Sequence, residues 1–254
     1  MAAALRFEHA VLTHVGCVRS VNEDAFVERV HDGLWAVADG MGGHRGGKWA
    51  SATIAEGLRS IELPEGHGAG DEALVRAVDA ANTRIVMAGR NAGRLSGSTL
   101  AALLVSDGRF SVRWVGDSRV YLLRADRLNQ LTTDHSQVQQ FVDQGLLSEE
   151  DARSHPLGHV LTRAVGVHDR VVLDRRSDAV HADDVFLLCS DGLTRVVSEA
   201  EIAAMLSRRR PEDAAERLLE LALQRGAPDN VTLIVVACEP TTLTQMVPLN
   251  ASAE

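Results

Sequence analysis

Apolar residues in this chain gather in short unbroken runs more often than they alternate with polar ones. Leu34 to Ala38, Thr99 to Val105, Val185 to Cys189 and Val231 to Cys238 are nearly continuous apolar stretches of strand length. They read as strands, Leu34 to Ala38 as a buried one. Phe7 to His14, Ala25 to Val30, Ser111 to Val115, Val120 to Leu123 and Val171 to Leu173 read as further strands, and Asp107-Gly108 between two runs is a hairpin signal. Helical periodicity appears over Trp49 to Ile61 and over Glu72 to Ala88, where Leu74, Val78, Ala81 and Ile85 share a face. Ala200 to Leu206 and Pro211 to Leu223 form a helical pair, with Pro211 suited to a first helical position. Glu62 to Asp71 reads as an exposed loop, Gln137 to Val160 as a polar surface flap, and Glu239 to Glu254 as a loosely held tail. Strands come in consecutive runs with helices grouped between and after them. That order predicts an α+β chain of antiparallel sheets covered by helices, in one domain over residues 1–238.

Composition narrows the function classes. The 254 residues are 45% hydrophobic and 24% charged, ordinary for a globular protein, so the length suffices for a sizeable core. Aromatics make up only 4%, which leaves Leu, Val and Ala to fill that core. A formal charge of −9 argues against nucleic acid or an anionic membrane as the main partner. Arg208-Arg209-Arg210, the one basic run, reads as a solvated helix end before Pro211. Cys17, Cys189 and Cys238 are odd in number and far apart, which suits a reducing cytoplasm better than a disulfide framework. No apolar stretch approaches the roughly 18–20 residues of a membrane helix. Arg6, Glu8 and His9 stand where a secretory signal would carry its apolar core. With no heptad or broad amphipathic stripe, the reading is a cytoplasmic monomer.

The most informative pattern is a repeated one. Trp35-Ala-Val-Ala-Asp39-Gly40, Val112-Arg-Trp-Val-Gly-Asp117-Ser118 and Phe186-Leu-Leu-Cys-Ser-Asp191-Gly192 each run an apolar strand into an aspartate. Pro228-Asp229-Asn230 places a fourth before the last strand. If these ends share one rim, the carboxylates must be protonated or bound to cations. Oxygen ligands without Cys or His pairs select hard ions such as Mg²⁺ or Mn²⁺ over Zn²⁺. Asp-Gly and Asp-Asn are also ordinary turn chemistry, so spacing alone leaves the two readings open.

At these residues the sequence resembles the bacterial PPM family, the type-2C protein phosphatases. The matching segments are Gly16-Cys-Val-Arg19-Ser-Val-Asn22-Glu23-Asp24-Ala25, Val37-Ala-Asp39-Gly40-Met41-Gly42-Gly43-His44, Gly97-Ser98-Thr99 and Val115-Gly116-Asp117-Ser118-Arg119. Leu131-Thr-Thr-Asp-His135-Ser136, His155-Pro156, Leu161-Thr-Arg163-Ala-Val-Gly166, Ser190-Asp191-Gly192-Leu193 and Asp229-Asn230 follow in family order, covering almost the whole chain. The resemblance implies a four-layer α-β-β-α sandwich of two antiparallel sheets flanked by helices. It implies hydrolysis of phosphoserine and phosphothreonine in proteins, opposing a bacterial serine/threonine kinase, by a hydroxide bridging two divalent cations, Mn²⁺ or Mg²⁺. It also implies that Asp39 bridges the two ions, that the Gly40 carbonyl helps hold one and Asp191 and Asp229 the other, and that Glu23 or Asp24 acts through metal-bound water. Asp117 with the Ser118 carbonyl would take the third ion of bacterial members. Arg19 would clamp the substrate phosphate through a planar, bidentate guanidinium. His44 is the candidate general acid for the leaving oxygen. His135 and Ser136 would stabilise the start of the flap. Lys48, Trp49 and His159 depart from the family pattern and bear on the flap and substrate preference.

Two alternatives accompany this reading. Cys189-Ser-Asp-Gly-Leu-Thr-Arg195 also fits the C-x-x-x-x-x-R loop of cysteine-dependent phosphatases, with Cys189 as nucleophile and Arg195 as phosphate clamp. Asp191 inside that loop would repel a phosphate dianion, and Leu188 and Val196 also depart from that pattern. An inactive phosphoprotein-binding module is the other alternative. It would be expected to lose a metal carboxylate, whereas Asp39, Asp191 and Asp229 are all present.

Overall fold

The computed structural model describes residues 5–42, 46–153, 155–158, 160–207 and 210–240. Two antiparallel sheets stack face to face. The first runs in the order β1 (Leu5–His14), β11 (Val231–Pro240), β10 (Val185–Cys189), β7 (Arg119–Arg124), β8 (Arg127–Gln130). The second runs β2 (Asp24–Arg29), β3 (Leu34–Met41), β5 (Leu100–Ser106), β6 (Arg109–Val115), β9 (Asp174–Ala179), with the short β4 (Gly97–Ser98) pairing to the end of β3.

The unbroken apolar runs are explained by a core on each side of each sheet. Between the sheets, Val120, Leu122, Phe186, Leu188, Ile234 and Val236 meet Trp35, Val37, Ala101, Leu103 and Val112. The alternate residues of the same strands, Leu34, Ala36, Leu100, Ala102 and Leu104, face outward onto α1 (Gly46–Ser60) and α2 (His67–Ala92), packing on Ile54, Leu58, Leu74, Val78 and Ile85. On the opposite side Tyr121, Leu187, Leu233 and Val235 pack on Ile202 and Leu206 of α6 (Glu199–Leu206) and Leu218 of α7 (Pro211–Gln224). Each large aliphatic side chain so buried contributes roughly 1.5–3 kcal/mol. The result is the α-β-β-α sandwich expected from the resemblance.

Several expectations are corrected. Glu62 to Asp71 is not a loop throughout, because α2 begins at His67. That start rests on tertiary contacts: the Asp107 carboxylate accepts from the His67 backbone N–H at 2.8 Å, and buried Asp71 pairs with Arg113. Asp107 and Gly108 both adopt positive φ, 51° and 69°, so one hairpin turn also caps a helix. Val171 to Leu173 is not a strand; its side chains at 171 and 173 pack against the helix-side core, and β9 follows it. Both β8 and β9 are polar edge strands, which hydrophobic patterning does not mark. Glu239 and Pro240 belong to β11, and the rest of the expected tail lies outside the described residues, as do Arg208 and Arg209. The flap carries α3 (Gln137–Asp143), capped by Ser136 Oγ accepting from the Gln139 N–H at 3.2 Å, and α4 (Glu149–Arg153). Its two ends are joined by a bridge between Ser136 and Leu161. His159 lies outside the described residues. Among the described residues no helix is long and apolar enough to cross a membrane.

Candidate metal centre

Sheet pairing gathers the aspartates at one rim. Asp24 opens β2 directly across from Asp39 in β3. Asp39 was expected at a strand end, yet β3 continues to Met41 because Gly40 and Met41 pair with Ser98 and Gly97. Asp117 follows β6 through Gly116, whose φ of 103° and close approach to Thr99 exclude a larger residue. Asp191 opens the short α5 (Asp191–Thr194) just after β10, and Asp229 leads through Asn230 into β11.

Uncharged neighbours fix these positions. Thr99 Oγ1 accepts from the Asp39 N–H at 3.0 Å and contacts Ser118 Oγ at 2.7 Å, tying β3 to the Asp117 turn. Ser190 Oγ donates to Asp24 Oδ2 at 2.9 Å. Asn230 accepts from the Glu23 N–H at 2.8 Å and donates to the carbonyls of Val15 and Val21 at 2.9 and 3.0 Å. It thereby holds the loop bearing Arg19 and Glu23 against β11. The Gly40 backbone lies against Gly47 of α1, where a Cβ on Gly40 would fall 2.2 Å from a carbonyl oxygen. His135 brackets Gly116: its N–H donates to the Gly116 carbonyl at 2.9 Å, and its Nδ1 accepts from the Gly116 N–H at 3.1 Å. His135 and Ser136 therefore anchor the flap's start, and His135 also holds the turn that carries Asp117. Thr99, Ser190 and Asn230 sit within the quoted motifs, but their sequence gives no sign of these partners.

Gly192 has no room for a side chain, since a Cβ would lie 2.0 Å from the Asn230 carbonyl oxygen. Gly192→Ala is therefore expected to push Asn230 off the loop, cost about 2 kcal/mol by overpacking, and weaken Mn²⁺ binding. Thermal melts and Mn²⁺ titration of the variant check both effects.

The electrostatics of the centre are those of carboxylates short of positive charge. Burial pushes Asp24 up to about 7, with Asp191 and Asp229 adding to the rise. Asp39 is raised well above the carboxylate range, first by burial and then by Asp24, Asp191, Asp117 and Asp229. Asp117 is raised by burial and by Asp191, and Asp191 is raised by burial despite the opposing pull of Arg195. Glu23 Oε1, Asp24 Oδ1 and Asp191 Oδ1 are buried with no hydrogen-bond partner. Buried carboxylate oxygens without donors are costly, and divalent cations would satisfy them. The donor set, all oxygen, fits Mn²⁺ or Mg²⁺. Among the described residues no group of three or more such side chains forms a ready-made cage. Arginines hold two of the carboxylates instead: Arg19 donates to Asp229 Oδ2 at 2.8 Å, and Arg195 pairs with Asp191. His44, the expected general acid, lies outside the described residues.

The cysteine-loop alternative is corrected by the same geometry. Cys189 is wholly buried in β10, and burial pushes its thiol up to about 12, the opposite of an activated nucleophile.

The protein phosphatase 2C family model matches residues 18–225. The serine/threonine protein phosphatase PstP of Mycobacterium tuberculosis is 38% identical over 234 residues, 91% of this chain and 45% of the relative. The chain thus spans about half the length of that relative. PppA, described as a key regulatory component of T6SS in Pseudomonas aeruginosa, superposes with a TM-score of 0.87 at 39% identity, covering 93% of this chain and 99% of the other. The catalytic domain of PstP, solved in complex with two manganese ions, gives a TM-score of 0.85 at 36% identity over 93% of this chain and all of that one. With the sandwich fold, the carboxylate rim and these likenesses agreeing, the chain belongs to the protein phosphatase 2C family.

Proposed function

We propose that this chain removes phosphate from phosphoserine and phosphothreonine in proteins. The observation that carries the reading is the single rim of carboxylates at β2, β3, α5 and the β6 end, where Glu23 Oε1, Asp24 Oδ1 and Asp191 Oδ1 are buried without a partner. Asp39, the Gly40 carbonyl, Asp191 and Asp229 would hold two divalent cations, Glu23 or Asp24 would act through water, and Asp117 with the Ser118 carbonyl would hold a third. When bound, such cations supply an acidified water as nucleophile and positive charge against the phosphoryl group. Arg19, half-exposed at the edge of the rim, would orient the phosphate with two parallel N–H donors. Asn230 fixes the loop that presents it. Residues 1–238 would act as one catalytic unit, with residues 137–160 as a flap beside the site. The biological role would be to oppose a serine/threonine kinase acting on a secretion or signalling apparatus; PppA, described as a regulatory component of T6SS, supports the first of these settings.

The test is hydrolysis of a phosphothreonine peptide by metal-stripped protein, with Mn²⁺ restored or withheld, alongside Cys189→Ser. Turnover that requires Mn²⁺ and survives the substitution is expected. Metal-independent turnover abolished by Cys189→Ser would sink the proposal.

A further inference from the structure

Arg195 follows Asp191 by four residues, at the end of α5. Its guanidinium pairs with Asp191 Oδ2 and lies 3.8 Å from Asp229 Oδ2. Arg19, from the opposite end of the chain, donates to the same Asp229 oxygen at 2.8 Å. One carboxylate oxygen therefore stands between two guanidiniums, and both carboxylates concerned belong to the proposed cation site. The Arg195 side chain is 36% exposed, against 10% for Asp191. It reaches in from solvent to a buried acid. Asp191 Oδ1, the oxygen that Arg195 leaves alone, is buried without any partner. Arg195 thus neutralises the acid without satisfying it.

We propose that Arg195 is a resident counter-ion that competes with the divalent cation for Asp191 and Asp229. Once displaced, it joins Arg19 as a second guanidinium for the phosphate oxygens. The inference rests on the metal reading above. A cation that takes these oxygens must first break the Arg195 pair, which lowers its apparent affinity. Freed from Asp191, the guanidinium is left beside Arg19 at the same rim, with five donors suited to a tetrahedral dianion. Anything that holds Arg195 in that displaced position favours the ion, and by reciprocity the ion favours phosphate. If Arg195 served only as a helix ion pair, its removal would leave cation binding unchanged. If it organised the carboxylates for the ion, its removal would weaken binding.

The experiment is calorimetric titration of the full chain with Mn²⁺, with and without inorganic phosphate, for the parent protein, Arg195→Met and Arg195→Lys. Arg195→Met is expected to bind Mn²⁺ about tenfold more tightly without phosphate, and to lose the several-fold tightening that phosphate gives the parent. Arg195→Lys keeps a charge but not the planar fork, so about threefold tightening is expected. Should the methionine variant fail to fold, the lysine variant decides alone. Unchanged or weaker Mn²⁺ binding in the folded variants overturns the inference while leaving the metal reading intact. A parent protein that binds no Mn²⁺ overturns both.

Discussion

Asp39→Asn is expected to lower kcat/KM on a phosphothreonine peptide by ~1000-fold or more, about 4 kcal/mol of transition-state stabilisation. The substitution is isosteric, so β3 and its pairing to β2 should persist. What changes is charge at the centre of the rim. Asp39 lies across from Asp24 and feels Asp191, Asp117 and Asp229, more of the carboxylate cluster than any neighbour does. On the proposed reading a carboxylate there would help hold the cations, and an amide, which carries no charge, would hold them poorly. The variant also separates loss of function from loss of fold. Removing a buried acid from a cluster of acids relieves repulsion, so metal-stripped Asp39→Asn should melt at or above the parent's temperature at pH 8. Full turnover by the variant would show that the carboxylate rim is not the reaction centre.

The second large effect concerns stability against pH. Asp24 is raised to about 7, and Asp39, Asp117 and Asp191 are also raised, all chiefly by burial. Their unfolded values lie near 3.9. A carboxyl whose folded value is raised contributes stability that is complete below about pH 4 and is lost as pH climbs through the folded value. His67 and His135 are lowered by burial, which makes stability rise with pH, but only up to their unfolded value near 6.5. Asp71 and Asp174 are held low, so they act only under acid conditions, near or below their unfolded value. From about pH 7 to 8.5, therefore, only the raised carboxyls still titrate among these groups. The metal-stripped protein should lose up to about 1.4 kcal/mol per pH unit for each proton released. Mn²⁺ at a hundred times its Kd adds about 2.7 kcal/mol, or about 5–10 °C in Tm for a chain of this size. It should also flatten the slope by replacing the missing protons. Calorimetric melts at pH 7.0, 7.7 and 8.5, with and without Mn²⁺, measure both; stability that rises with pH in stripped protein contradicts the picture.

The sequence by itself determined the main apolar strands, because runs such as Val231 to Cys238 are of strand length and too apolar to stay exposed. It also determined the amphipathic helices, where Leu74, Val78, Ala81 and Ile85 all reach the core. The aspartate at the end of each run was legible as a pattern, and the ordered motifs gave its chemistry through resemblance. Edge strands β8 and β9 were not legible, because an edge strand's pairing is set by its neighbour's backbone and needs no apolar side chains. The start of α2 was misplaced because Asp107, forty residues on, supplies its first contact. Above all, only the tertiary structure decided that Asp24 faces Asp39, that Asn230 holds the Arg19 loop, and that Arg195 and Arg19 meet at Asp229. Each of these is a contact between segments distant along the chain. Such contacts follow from strand order and register, which the identity of the residues at their ends does not reveal.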